Sequence, residues 1–188
     1  QAHIEAFWRP LWRWLLLLVK CPAAGFALDL DSTVFCREGQ QEGARKGYNP
    51  KRKGRSSHHP LLAVLAEAPF ILHGWLRSGN TGAARGVVPF LQEALALLPE
   101  GTWLRTVRAD SGFFDGDFFD FLEERGLPYV VVARLTRTLK RQCAGIKEWT
   151  VIDENHAAGE FTVKLFGWSK ERRFVVVRER IRETKAAV

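Results

Sequence analysis

The sequence predicts an α/β fold, a mixed sheet with helices on its faces. Three observations predict it: a run over residues 27–35 that alternates apolar and polar side chains, a pair of short apolar runs joined tightly at Ala68-Pro69, and a later order of strand, helix, strand. The chain has 188 residues, 46% of them hydrophobic, which suffices for one sizeable core and argues against disorder.

Residues 5–21 carry Phe7, Leu11, Trp14, Leu15 and Leu18 at helical spacing, and Pro22 ends the helix. The apolar run inside it, Trp14 to Val19, is far shorter than the roughly 20 residues a membrane helix needs. Arg9, Arg13 and Ala23-Ala24-Gly25 sketch a signal peptide, but Lys20 interrupts it. From Ala27 to Phe35, Leu28 and Leu30 fall on one face of a strand and Asp29 and Asp31 on the other. Gly39 to His59 is polar and rich in glycine, and it carries Arg45, Lys46, Lys51, Arg52, Lys53 and Arg55 around Tyr48: a long basic loop.

Leu61–Glu67 and Phe70–Arg77 are expected to form a strand pair. Asn80 or Thr81 is expected to cap a helix reaching Leu98, with Pro89 kinking it or marking its true start. Trp103 to Ala109 is a strand, Asp110-Ser111-Gly112 a turn, and residues 116–125 a helix closed by Gly126. The continuous β-branched run at residues 129–133 predicts a buried strand. Phe161–Lys164 and Phe174–Val177, flanking Gly167 to Arg173, read as a hairpin.

Lys and Arg number 28 against 21 Asp and Glu, a net charge of +7, which favours an anionic partner such as nucleic acid. Cys21, Cys36 and Cys143 are far apart and odd in number, which points to neither a disulfide framework nor a zinc site and fits a reducing compartment. The lone histidines His73 and His156, and His58-His59-Pro60 without a second ligand cluster, also argue against zinc. Gly79-Asn80-Thr81-Gly82 lacks the Lys-Ser/Thr of a phosphate-binding loop. The opening at Gln1, the lack of Met and the end at Val188 lead us to expect a piece of a longer protein.

Asp31 on one strand and Asp110 at the carboxyl end of another lie where open α/β sheets place ligands. Carboxylates are the hard oxygen ligands that magnesium prefers, and a pair of such ions supports in-line attack on a phosphodiester. Either aspartate alone reads more readily as a turn or capping residue, and it is the basic loop together with the pair that reverses this. Lys and Arg of the basic loop would neutralise phosphates, with Tyr48 and His59 to stack or hydrogen-bond, and Arg77, Arg105 and Arg108 could extend the patch.

Four blocks in order, Leu28-Asp-Leu-Asp-Ser-Thr-Val34, Glu42 to Leu61, Ser78-Gly-Asn80 and Arg108-Ala-Asp-Ser-Gly-Phe113, resemble bacterial insertion-sequence transposases of DDE group one. The resemblance implies a ribonuclease H-like catalytic core over residues 23–144, an N-terminal helix over 1–22 leading into it, and the start of a β-rich insertion over 145–188. It implies that Asp31 and Asp110 are the first two metal-binding acids, with Asp29 supporting, and that Mg²⁺ or Mn²⁺ is the cofactor. It further implies double-stranded DNA as partner (transposon ends and target), a homodimer when full length, and a cytoplasmic, nucleoid-associated protein. The family's third acid, a glutamate on a helix after the insertion, is expected beyond Val188 and not at Glu179 or Glu183, so this piece alone would be inactive.

Two alternatives stand beside this. The first block also resembles haloacid dehalogenase-like phosphatases, with Asp29 as nucleophile and Asp117 and Asp120 mimicking a metal motif. The other is a DNA-binding remnant that needs neither Asp31 nor Asp110.

Overall fold

The computed structural model describes residues 2–49, 52–68 and 70–180, with backbone alone for residues 2–8. The chain divides into two compact units, Gln1–Ala133 and Arg134–Val188.

The first unit runs α1 (Ala2–Leu17), β1 (Phe26–Ser32), β2 (Phe35–Cys36), β3 (Arg45–Lys46), β4 (Ser56–His58), β5 (Leu61–Leu65), β6 (Phe70–Trp75), α2 (Val87–Leu95), β7 (Leu104–Ala109), a 3-10 turn (Ser111–Phe113), α3 (Gly116–Glu124) and β8 (Tyr129–Val131). Its main sheet has the order β6-β5-β1-β7-β8. β5 and β6 run antiparallel to their neighbours, whereas β7 and β8 extend the sheet in parallel. This is the ribonuclease H-like mixed sheet, with β1 at its centre.

The alternation of β1 decides which face becomes core. Leu28 and Leu30 are buried, and register aligns them with Leu65 and Ala63 of β5 and with Val107 and Ala109 of β7. The same face continues to His73 of β6, which stacks on Phe90 of α2 at 4.8 Å, and to Tyr129 of β8, which stacks on Phe119 of α3 at 5.1 Å. α2 and α3 therefore cover one face, and each fully buried Leu or Phe there contributes roughly 1.5–3 kcal/mol. Asp29 and Asp31 point to the other face. On α1, the Trp12 indole N–H donates to the carbonyls of Ile71 and Leu72 on β6, at 2.8 and 3.1 Å.

Several expectations are corrected. The segment from Gly39 to His59 is not simply a loop: β2, β4 and β3 make a three-stranded antiparallel sheet. Neither Asn80 nor Thr81 caps α2. The helix starts at Val87 after Gly86, whose φ of 77° breaks the helical path, and Pro89 stands in its first turn. β8 is an edge strand, and Val130 (66% exposed) and Val132 (60%) are open to solvent among the described residues.

The small sheet is fastened by backbone contact that only glycine permits. A Cβ on Gly47 would lie 1.8 Å from the Gly79 carbonyl oxygen, and one on Gly79 would lie 2.3 Å from the Ser57 carbonyl oxygen and 2.5 Å from that of Arg45. His58 bridges to Ser78 in the same place. Gly79→Ala is therefore expected to destabilise the first unit by about 1–3 kcal/mol or more, because rigid backbone must move. Urea unfolding measures this, and an unchanged midpoint would remove glycine's role there.

The second unit holds α4 (Arg137–Ala144), β9 (Thr150–Val151), β10 (His156–Val163) and β11 (Arg172–Glu179), the strands forming one antiparallel sheet in the order β11-β10-β9. β10 and β11 pair over eight residues, with Phe161 stacked on Phe174 at 5.2 Å, so the expected hairpin is longer than the sequence indicated.

Candidate active site

Asp29 and Asp31 share the face of β1 opposite Leu28 and Leu30, but their surroundings differ. Asp29 lies opposite Arg108 in the parallel register with β7. Arg108 Nε donates to Asp29 Oδ1 at 2.6 Å and Nη2 to Oδ2 at 2.7 Å, a bidentate pair. The hydrogen bonds and charge of Asp29 push the Arg108 guanidinium pKa further up. Both Asp29 oxygens thus accept from Arg108, which makes Asp29 a clamp between β1 and β7.

The register pairs Leu30 with Ala109, and carried one residue further it sets Asp31 opposite Asp110, the first residue after β7. Asp110 is still extended, with φ −79° and ψ −179°, and its Oδ1 accepts from the Gly112 N–H at 2.8 Å, capping the 3-10 turn. The capping role that the turn sequence allows is therefore real, and it holds the carboxylate in place while its other oxygen has no hydrogen-bond partner among the described residues. Asp31 is exposed and has neither hydrogen-bond nor ion-pair partner among them. Strands in such a sheet lie about 4.8 Å apart, so the two carboxylates stand on neighbouring strands, and neither makes an ion pair among the described residues.

Hard oxygen donors at the carboxyl ends of parallel strands suit a divalent cation, and magnesium is commonly held by one or two carboxylates plus substrate phosphates and water. Among the described residues no group of three His, Cys, Asp or Glu could hold a metal ion. Glu179 ends β11 in the second unit, and Glu183 lies outside the described residues. The lone histidines are occupied locally: His73 bonds Glu93 at 2.8 Å and His156 bonds Asp153 at 2.9 Å. In the dehalogenase-like motif, Asp117 is an exposed first-turn residue of α3, whose cap is Asp115.

The basic segment offers a second element of the site. Arg45 and Lys46 form β3, Arg52, Lys53 and Arg55 lie near β4, and Tyr48 is 81% exposed. All five cations are exposed, and none has an acidic partner among the described residues; Lys51 lies outside them. His59 behaves differently. Its Nδ1 lies 2.6 Å from the Thr81 carbonyl, which can only accept, so Nδ1 donates, and Nε2 shares a hydrogen bond with the Ser32 hydroxyl at 2.9 Å. Both ring nitrogens are used inside the protein, and neither is offered to phosphate. The ring ties the end of β1, beside Asp31, to the segment before α2.

The arginines considered as extensions of the patch also have internal duties. Arg105 donates to Glu67 at 2.7 Å. Glu67 in turn accepts from the Ala27 N–H, and these bonds hold its carboxyl below the usual range. Arg77 is buried and donates to the carbonyls of His59, Gly82, Ala83 and Arg85. Sequence reasoning missed the parts that Ser32, Thr81 and Arg77 play. The hydroxyl directly after Asp31 is the only local signal among them, because the other partners are distant in sequence.

Residues 26–184 match the family model described as the transposase DDE domain. No curated protein matches the chain. Among solved structures, the chain is similar to a piggyBac transposase in the cryo-EM structure of its synaptic complex with hairpin DNA, at 13% identity and a TM-score of 0.52. That match covers 98% of this chain but 38% of the transposase chain, and at this identity the likeness is one of fold.

Proposed function

Because the chain belongs to the transposase DDE domain family, we propose that it is part of the catalytic core of a DNA transposase, cleaving strands at transposon ends and joining them to target DNA. One observation supports the reading: Leu30 pairs with Ala109, so Asp31 and Asp110 each follow a paired residue at the carboxyl ends of adjacent parallel strands, and neither makes an ion pair among the described residues. Exposed arginines and lysines of the small sheet, without acidic partners among the described residues, support duplex DNA as the partner, since such cations neutralise phosphates without reading sequence.

Asp31 and Asp110 would hold Mg²⁺ or Mn²⁺, which supplies a Lewis acid for the scissile phosphate and activates the attacking oxygen. The protein's own contributions are positional. Asp110 is fixed by the Gly112 amide, Asp31 by the central strand and by the Ser32 and His59 tie beside it, and Asp29 locks the two strands in register through Arg108. Water attacks first and the freed hydroxyl second, at one unchanged pair of carboxylates. We take the third acid to lie on a helix after the β-rich insertion and the full-length protein to act as a homodimer in the cytoplasm, so the experiment belongs in the full-length protein.

That experiment compares metal-dependent cleavage of a transposon-end duplex with hydrolysis of p-nitrophenyl phosphate, for the parent and for Asp29→Asn. A half-exposed ion pair is worth about 1 kcal/mol or less, so Asp29→Asn should keep DNA cleavage within about ten-fold of the parent. Monoester hydrolysis that Asp29→Asn abolishes would replace the reading with the phosphatase. Duplex binding without cleavage by the full-length parent would favour a DNA-binding remnant.

A further inference from the structure

The chain's excess charge is not where its most conspicuous basic segment lies. Residues 1–133 hold 15 Lys and Arg against 14 Asp and Glu, although they include the whole small sheet. Residues 134–188 hold 13 against 7, so +6 of the net +7 belongs to the second unit. A surface there, and not only the small sheet, has the composition of an anion-binding face.

α4 gathers part of that excess on one side. Thr136 caps the helix by accepting from the Leu139 N–H, and Leu139 is buried. At 100° per residue, Arg137, Lys140 and Arg141 project within about 100° of one another, opposite Leu139 and Cys143. All three cations are exposed, and none of their side chains makes a hydrogen bond or ion pair among the described residues. The helix is held in place within its own unit: just past it, Ile146 and Trp149 pack so closely over Gly159 of β10 that a Cβ there would lie 2.6 Å from the Ile146 side chain. The face is therefore presented on a fixed element.

We infer that the face of α4 formed by Arg137, Lys140 and Arg141 binds the phosphate backbone of duplex DNA, as a contact separate from the small sheet; this rests on the transposase reading. The three side chains span about 6 Å along the helix axis, a match to successive phosphates that rise about 3.4 Å each along one strand. α4 has no aromatic side chain, so it lacks the stacking platform on which single strands depend and is suited to a duplex. No group on the face reads base edges, and the contact is sequence-independent.

The test uses the full chain and a fluorescent 30-base-pair duplex of arbitrary sequence, with anisotropy recorded from 50 to 200 mM KCl. R137Q/K140Q/R141Q keeps good helix formers and the buried Leu139. Losing three phosphate contacts should make the slope of log K against log salt shallower by about 2 to 3 and weaken binding at least about ten-fold at 100 mM. R137K/R141K, which keeps the charge, should leave the slope unchanged, and single Lys140→Gln should flatten it by about 1, so the inference can still fail if the triple variant misfolds. Parental slope and affinity in the triple variant, together with loss of binding in R45Q/K53Q/R55Q, would overturn the inference and leave the transposase reading intact. Absence of duplex binding by the parent would overturn both. A larger effect on single-stranded DNA or on RNA of the same length would also refute the duplex assignment.

Discussion

Asp31→Ala or Asp110→Ala in the full-length protein should lower DNA strand cleavage at least about a thousand-fold while leaving duplex affinity within about three-fold. The size follows from what the carboxylates are asked to do. A bound divalent cation contributes several kcal/mol of charge stabilisation at a reacting phosphate, and about 4 kcal/mol corresponds to three orders of magnitude in rate. Affinity should barely change, because on the proposed function it rests on the exposed cations of the small sheet and, by inference, of α4. Asp110 also caps a turn, so Asp110→Ala carries a stability cost of about 0.5–2 kcal/mol that could be mistaken for a chemical effect. Asp110→Asn resolves this, since its side-chain oxygen can still accept from Gly112 while its negative charge is gone. Asn at 110 should be as stable as the parent and as inactive as Ala. Cleavage by either Asp31→Ala or Asp110→Asn within ten-fold of the parent would end the assignment.

What could be read from the sequence had local causes. The alternation of Leu28 and Leu30 with Asp29 and Asp31 needs only the two-residue period of a strand, and it correctly separated the core face from the acidic face. The turn at Asp110 is likewise local, an aspartate accepting from an amide two residues on. Features that failed depend on partners far away in the chain. Arg108 reads as an exposed strand-end cation until β1 and β7 align and Asp29 meets it. Residues 80–86 carry capping chemistry for a helix, but Arg77 takes the carbonyls of Gly82, Ala83 and Arg85 and holds the segment in turns. The run at residues 129–133 looks like a buried strand because composition does not reveal that β8 ends the sheet. In the same way, the dense basic run at residues 45–55 draws attention from the second unit, where cations are more widely spaced but fewer acids offset them.

Arg77→Met should destabilise the first unit by about 3–5 kcal/mol and lower its melting temperature by roughly 10 °C, the largest stability effect expected outside the apolar core. Arg77 is 9% exposed, no carboxylate pairs with it among the described residues, and burial pushes its pKa down. Nε and Nη1 offset that burial by donating to four carbonyls at 2.8–3.3 Å, while Nη2 is buried without a hydrogen-bond partner among the described residues. Met fills similar volume but leaves those part-buried carbonyls without these donors, and an acceptor left bare away from water costs more than the bond contributed. Lys cannot reproduce the planar fork, so Arg77→Lys should recover less than half of the loss. The consequence extends to chemistry, because the segment that Arg77 organises carries the Thr81 carbonyl bonded to His59 and places Ala83 against Gly112, where a Cβ would lie 2.8 Å from the Ala83 side chain. Both sides of the acidic pair therefore lean on this segment. Cleavage by Arg77→Met should fall well below the parent's even at temperatures where hydrogen exchange shows β1 and β5 still folded, with duplex binding retained. A loss of stability under 1 kcal/mol, or full cleavage in the folded variant, would mean that the segment holds its shape without the buried cation.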